Sequence, residues 1–146
     1  MKFQIRKASL KDVNFFYELR NEKDARKNFF NTENIKYHQH FKWYKKKLKQ
    51  KNEILLVALI NNSKKIGIVR YEMENIFANI SINISKKFRR LGYGSKILKK
   101  SEKFLKKKNV IIAKIKRSNK ASIKIFKKNN YNFIKNNKSL VLIKIT

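Results

Sequence analysis

One strand that runs into a glycine-bearing basic turn and then a helix constrains this chain more than any other stretch. Asn79-Ile80-Ser81-Ile82-Asn83-Ile84 alternates polar and apolar residues, which puts Ile80, Ile82 and Ile84 on one strand face. Arg89-Arg90-Leu91-Gly92-Tyr93-Gly94 follows, and Ile97, Leu98, Phe104 and Leu105 then form a helical stripe. Such a unit builds a phosphate cradle. Gly92 and Gly94 let the backbone come close to an anion, and the N–H groups of the first helical turn point at it. The expected ligand contains a pyrophosphate.

The rest of the chain bounds where that cradle sits. A length of 146 residues gives one domain, 1–146, with a real core. The absence of Cys excludes a disulfide, a thiolate metal site and a thiol nucleophile, and no metal site is expected. The N-terminal residues lack the apolar block of a signal peptide, and no apolar run approaches membrane-spanning length. A soluble, cytoplasmic monomer or homodimer without membrane contact is expected. The formal net charge of +30 would suit nucleic acid. The basic residues, however, are spread over the whole sequence in a Lys-, Asn- and Ile-rich composition of the kind an AT-rich coding sequence produces. A solvated Lys-rich surface is the preferred reading, one that still favours anionic ligands.

Period and punctuation predict twelve elements. Residues 2–8 read as a strand. Ser9-Leu10-Lys11-Asp12 resembles a capping box that opens a helix with Leu10, Val13, Phe16 and Tyr17 as its stripe. A short helical piece covers 22–29, and a third helix covers about 36–50 with Tyr37, Phe41, Tyr44 and Leu48 inward. Strands follow at 53–60, 66–74 and 78–84, the first two joined by an Asn61-Asn62-Ser63-Lys64 hairpin turn. The cradle helix runs to about Lys107, then come a strand over 110–116, a helix over 119–128 and a closing hairpin of 131–135 and 139–145. The order β-α-α-α-β-β-β-α-β-α-β-β predicts an α/β domain with a mixed central sheet and helices on both faces.

Two motifs on those elements match a known superfamily. Arg89-Arg90-Leu91-Gly92-Tyr93-Gly94 fits the pattern Arg/Gln-x-x-Gly-x-Gly/Ala. Asn119-Lys120-Ala121-Ser122, with Phe126 and Asn130-Tyr131 after it, fits an Asn-x-x-Ser signature that is followed by an aromatic and a Gly-Phe pair. The chain thus resembles the GCN5-related N-acetyltransferase (GNAT) superfamily over nearly its whole length. The resemblance implies acetyl-CoA as the ligand. Backbone amides of 90–95, from Arg90 through Leu91, Gly92, Tyr93 and Gly94 to Ser95, would hold its pyrophosphate, and Arg89 or Arg90 would add charge. The strand of Ile82 and Ile84 would pair with the pantetheine arm, Asn119 would hydrogen-bond the cofactor, and Phe126 would sit near the thioester. Phe126 stands where many relatives have a Tyr that serves as general acid, and Lys114 stands where related sequences often have Glu.

The N-terminal half is similar to a branch that acetylates amino groups on nucleotide-linked sugars. The residues that carry this likeness are Leu19-Arg20-Asn21 with Arg26, the run from Ile35 to Tyr44 that contains His40 and Trp43, and Ile66-Gly67-Ile68-Val69-Arg70-Tyr71. It implies a small amine acceptor, with Arg20, Asn21, Arg26 and Arg70 on sugar hydroxyls or a diphosphate, and Trp43 against a ring or in the core. Acetyl transfer needs a neutral amine, a stabilised carbonyl oxygen and a departing thiolate. With no Cys and no Ser-His-Asp pattern, direct attack in a ternary complex is the expected path. His40, an imidazole that titrates near neutrality, is the first candidate base and Glu72 the second, with a water relay as a third route. Two other functions stay open at this point: acetylation of a protein N-terminus or ribosomal protein, and a non-catalytic basic module that binds CoA or nucleic acid.

Overall fold

The computed structural model describes residues 2–136 and 139–146. Seven strands, β1 (Phe3–Lys7), β2 (Glu53–Ile60), β3 (Lys64–Glu74), β4 (Phe77–Ile84), β5 (Val110–Lys116), β6 (Asn132–Asn136) and β7 (Ser139–Ile145), form one sheet. Its spatial order is β1-β2-β3-β4-β5-β7-β6. All neighbours are antiparallel except β4 and β5, which run parallel. The five helices are α1 (Val13–Asn21), α2 (Lys23–Arg26), α3 (Tyr37–Lys49), α4 (Tyr93–Ser101) and α5 (Lys120–Lys128). This is the mixed-sheet α/β architecture expected from the sequence.

Strand β2 is apolar at almost every position because both of its faces are covered. Leu55, Val57 and Leu59 pack with Val13, Phe16 and Tyr44 under α1 and α3. Leu56, Ala58 and Ile60 face the other way into the core that α4 and α5 close with Ile97, Leu98, Ile123 and Phe126. The helix stripes differ in detail from the periodicity. Leu10 is half exposed, and Leu19 takes the expected place of Tyr17 in the α1 core. Tyr37 lies outward, and His40 turns inward beside Tyr44. The α4 helix ends at Ser101 and tightens into a 3-10 turn over Glu102–Phe104, well short of Lys107.

A buried carboxylate pins the first helix to the sheet. Asp12 accepts from both terminal guanidinium nitrogens of Arg6 at 2.8 and 2.9 Å and from the Ser9 N–H at 2.9 Å. Lys65 Nζ lies 2.8 Å from its other oxygen. Burial alone would raise the Asp12 pKa, but these hydrogen bonds hold it well below the usual carboxylate range. One side chain thus joins β1, β3 and the start of α1.

Candidate functional site

The glycine turn is built as the sequence requires, with the two glycines serving different ends. Gly92 caps α4 at φ 82°, a left-handed position that a side chain would strain, and a Cβ there would meet nothing within 4 Å. Arg90, two residues earlier, is also left-handed at φ 62°. Alternating turns of this kind aim successive N–H groups into one concavity. No side chain caps α4, so its first-turn N–H groups and the positive end of its dipole are presented to a ligand. Gly94 is required to be small for a packing reason. It is buried, and a Cβ there would lie 2.6 Å from Ile125 Cδ1 and 3.2 Å from Ile84 Cδ1. Its smallness lets α4 lie against α5 and β4. Ser95 adds to that contact by accepting from the Asn129 side-chain amide at 3.1 Å, while the Tyr93 ring packs beside Phe3 and Phe88. Leu91 is exposed at the tip.

Beside this turn the sheet forks. β4 and β5 pair at Phe77 with Val110, Ala78 with Ile111 and Asn79 with Ile112, and past Asn79 no described β5 residue pairs with β4. The alternation of the strand turns the main chain of Ile80, Ile82 and Ile84 toward β5, since Ile76 C=O already accepts from Val110 N–H while Ser85 N–H donates back toward Ile66. The Ile84 carbonyl is taken by Arg89 Nε at 2.9 Å, which leaves the main chain of Ile82 facing a gap between parallel strands. An extended ligand can pair there as an added strand. Helix α2 sits across the open end: Arg89 meets Glu22 at 3.2 Å, Lys86 meets Asp24 at 2.8 Å, and Lys116 Nζ on β5 donates to the Lys27 carbonyl at 3.1 Å.

The second motif lies along the fork's other wall. Asn119 is the N-cap of α5, its side-chain oxygen accepting from Ser122 N–H at 3.3 Å. Phe126 is 2% exposed and packs edge-on to Tyr131 with ring centroids 4.9 Å apart. Asn130 takes the left-handed φ of 69° in the place of a glycine.

The candidate acceptor residues fall into two groups. Some are spoken for. Asn21 both donates to and accepts from the Ile35 main chain at 2.9 and 2.8 Å, which braces the segment after α2. Arg70 gives Glu53 a two-pronged contact at 2.9 and 2.8 Å and meets Glu72 at 2.8 Å, with Trp43 5.3 Å away across its ring face. Lys47 completes that cluster at 2.9 Å from Glu53 and 3.7 Å from Glu72. Burial would raise Glu53, but hydrogen bonds from Arg70 and Lys47 hold its pKa down. Arg70, Glu72 and Trp43 are therefore joined to one another on the β2–β3 face.

Others keep unused capacity. Arg20 donates only to carbonyls, those of Glu33 and Asn31 at 3.3 and 2.9 Å, and lies 4.7 Å over Phe29. Its pKa is lowered by burial and by Arg26 nearby. Arg26 has a buried Nε without a hydrogen-bond partner among the described residues. His40, 3% exposed, is enclosed by Tyr17, Trp43 and Tyr44 at ring separations of 5.3, 5.6 and 6.1 Å. Its Nε2 has no described partner. Burial lowers its pKa, Arg20 lowers it further, and a hydrogen bond to the Val13 backbone opposes both. His40 thus lies between α1 and α3 away from solvent, where burial favours the neutral imidazole.

Comparison with known proteins decides the family. The family profile described as Acetyltransferase (GNAT) matches residues 16–131. The chain belongs to the GNAT acetyltransferase family. No curated protein sequence matches it, but solved structures share its fold. One is a domain from Methanocaldococcus jannaschii, with a TM-score of 0.83 at 21% identity and 99% of each chain covered. Another is spermidine N-acetyltransferase from Vibrio cholerae in complex with CoA and spermine, with a TM-score of 0.81, 16% identity, and 97% of this chain and 92% of that one covered. A third is an aminoglycoside acetyltransferase in complex with coenzyme A, with a TM-score of 0.79, 12% identity, and 99% and 95% covered.

This GNAT protein is therefore an N-acetyltransferase that uses acetyl-CoA as co-substrate. The turn and the fork suit that molecule: an uncapped helix start favours a diphosphate, and an unpaired strand edge has room for an extended arm. Sequence reasoning missed a second feature of the fork. A cavity of about 340 Å³ lies at its closed end, lined by Glu74, Asn75, Phe77, Asn79, Ile112 and Lys114. Only the strand register puts Lys114 on the same sheet face as Glu74, at the other end of this cavity.

Proposed function

We propose that this GNAT enzyme acetylates a primary amine of a small anionic acceptor, an amino sugar joined to a nucleotide, by direct attack in a ternary complex. The observation that carries the reading is the fork beyond Asn79 and Ile112, lying beside the uncapped start of α4 and roofed by the arginine-bearing α2. In this reading the 90–95 backbone holds the diphosphate of acetyl-CoA, with Arg90 adding charge and Arg89 holding the turn in place. Asn119 and Phe126 bound the far wall. Acetyl-CoA supplies an acyl group activated as a thioester.

The chain's own groups supply the rest. The acceptor amine arrives neutral, its nitrogen forms the bond to the acyl carbon, and the C–S bond breaks with its electron pair leaving on sulfur. In this reading the Ile82 N–H, whose main chain faces the gap, would meet the carbonyl oxygen as charge develops there, an interaction worth roughly 3 kcal/mol in comparable sites. The nitrogen's proton departs through water. His40 acts from beneath by fixing the α1–α3 wall. Phe126 has no proton to give, so the sulfur is protonated from solvent. Arg20 and Arg26 support an anionic acceptor because they lie near enough to repel one another and no ion pair among the described residues joins either to a carboxylate.

The test is release of free CoA from acetyl-CoA with three acceptor panels: nucleotide-linked amino sugars, polyamines, and peptides with free N-termini. Turnover confined to the sugars is expected. Turnover confined to polyamines or peptides overturns the acceptor assignment, and Arg26→Ala should raise the sugar KM while leaving that of acetyl-CoA in place.

A further inference from the structure

The cavity at the closed end of the fork lies on the opposite sheet face from α4 and α5. In register, Glu74 stands across from Phe77, and Asn79 across from Ile112, so these four side chains share one face. Lys114 is two residues past the last paired position on β5 and shares that face as well. Ile80 and Ile111, by contrast, point into the core under α4 and α5. A molecule held at the α4 turn and lying in the fork is therefore met from the other side by whatever fills this cavity.

The charges of the cavity are uncommitted. Neither the Glu74 nor the Lys114 side chain makes an ion pair or hydrogen bond with any described residue. They stand at different ends, Glu74 beside the paired strands and Lys114 at the rim of the fork. Phe77, 41% exposed, offers a ring face beside Glu74. From Lys114 the basic character continues along the same strand face to Lys116, whose Nζ reaches the Lys27 carbonyl on α2, one residue from Arg26 and its unpartnered Nε. The cavity thus has an end suited to hydroxyl donors and a ring, and a rim that leads into a cationic track.

We infer that this cavity is the acceptor subsite and that Lys114 and Glu74 set its selectivity, Lys114 meeting a phosphate on the acceptor and Glu74 accepting from sugar hydroxyls. The inference rests on the function proposed above and names how the acceptor lies. The ring sits between Phe77 and Asn79, its phosphate is directed along Lys114 toward Arg26, and the reacting nitrogen faces the fork. A polyamine is disfavoured, because Lys114 brings a like charge to the rim of the cavity.

The test compares glucosamine 1-phosphate, glucosamine and spermidine with the wild-type protein, Lys114→Glu and Glu74→Gln. Binding is read by calorimetry and transfer by CoA release. Wild type should prefer the phosphorylated sugar to the free sugar, and Lys114→Glu should cut that preference about tenfold or more, a difference of about 1.4 kcal/mol, and shift it toward spermidine. Glu74→Gln should weaken both sugars alike. Because residues 74 and 114 are exposed, both variants should melt with wild type, and their KM for acetyl-CoA should stay in place. A phosphate preference that Lys114→Glu leaves unchanged overturns this subsite while the acetyltransfer reading stands. Failure of wild type to bind either sugar, with transfer confined to other amines, overturns both.

Discussion

Arg89 donates to the Glu22 carboxylate at 3.2 Å and to the Ile84 carbonyl at 2.9 Å, so the first arginine of the glycine motif ties the turn to α2 and to the end of β4. A side chain with two anchors inside the protein shapes the cradle more than it reaches out of it. The two roles predict opposite results. If Arg89 works by bracing, Glu22→Gln loosens it and raises the KM for acetyl-CoA several-fold, in the same direction as Arg89→Gln. If Arg89 instead reaches the phosphate, Glu22→Gln frees a cation and lowers that KM. Bracing is the expected outcome, and steady-state kinetics on the two variants decides.

The two glycines of the motif should behave differently on substitution. At Gly94 a Cβ lies 2.6 Å from the tip of Ile125, and overpacking of this kind costs about 1–3 kcal/mol. Removing that tip with Ile125→Val should restore much of the loss from Gly94→Ala. At Gly92 there is room but a left-handed backbone, so Gly92→Ala should cost about 1 kcal/mol through strain alone, and Ile125→Val should not repair it. A double-mutant cycle by urea unfolding tests this. Equal rescue at both positions would contradict the packing role given to Gly94.

How much of this was readable beforehand depends on the range of the forces involved. The strand bounds of β2 and β5, the glycine turn and the Asn130 stop follow from local period and local φ preference, and those are written in adjacent residues. Arg70 was not readable as a brace, because its carboxylate Glu53 lies on another strand and is 17 residues away. Asn21 is consumed by a main chain 14 residues on. His40 reads from the sequence as a candidate base, and only the packing of α1 over α3 surrounds it with rings. The fork itself has no sequence mark, since it is the absence of pairing between two strands that the alternation alone would let pair throughout.

Asp12 predicts an acid-sensitive fold. Its folded pKa lies below the unfolded value of about 4. Its stabilisation is therefore complete above that unfolded value and is lost as pH falls toward the folded one. Asp12→Asn leaves Arg6 and Lys65 without their carboxylate and should cost about 3 kcal/mol or more at pH 7. The same variant should lose less stability than wild type on going from pH 5 to pH 3. Parallel loss in the two proteins would show that Asp12 does not hold the sheet to α1.

His40 predicts a second, separate pH window. Burial holds its folded pKa below the ordinary value of about 6.5. Between those two values the unfolded chain binds the proton that the folded chain refuses, so stability rises with pH through this range and falls on acidification below about 6.5. Replacing the imidazole with an apolar ring in His40→Phe removes the titrating group, and the rings of Tyr17, Trp43 and Tyr44 give the new ring a matching environment. The variant should therefore lose less stability than wild type between pH 7 and pH 5 in urea titrations. Acetyl transfer at pH 8 separates wall from base. A wall-forming His40 predicts that His40→Phe keeps kcat within a few-fold of wild type and keeps its pH profile, whereas loss of the acidic limb of that profile together with a hundredfold or greater fall, of the order a general base contributes, would restore His40 as the proton acceptor.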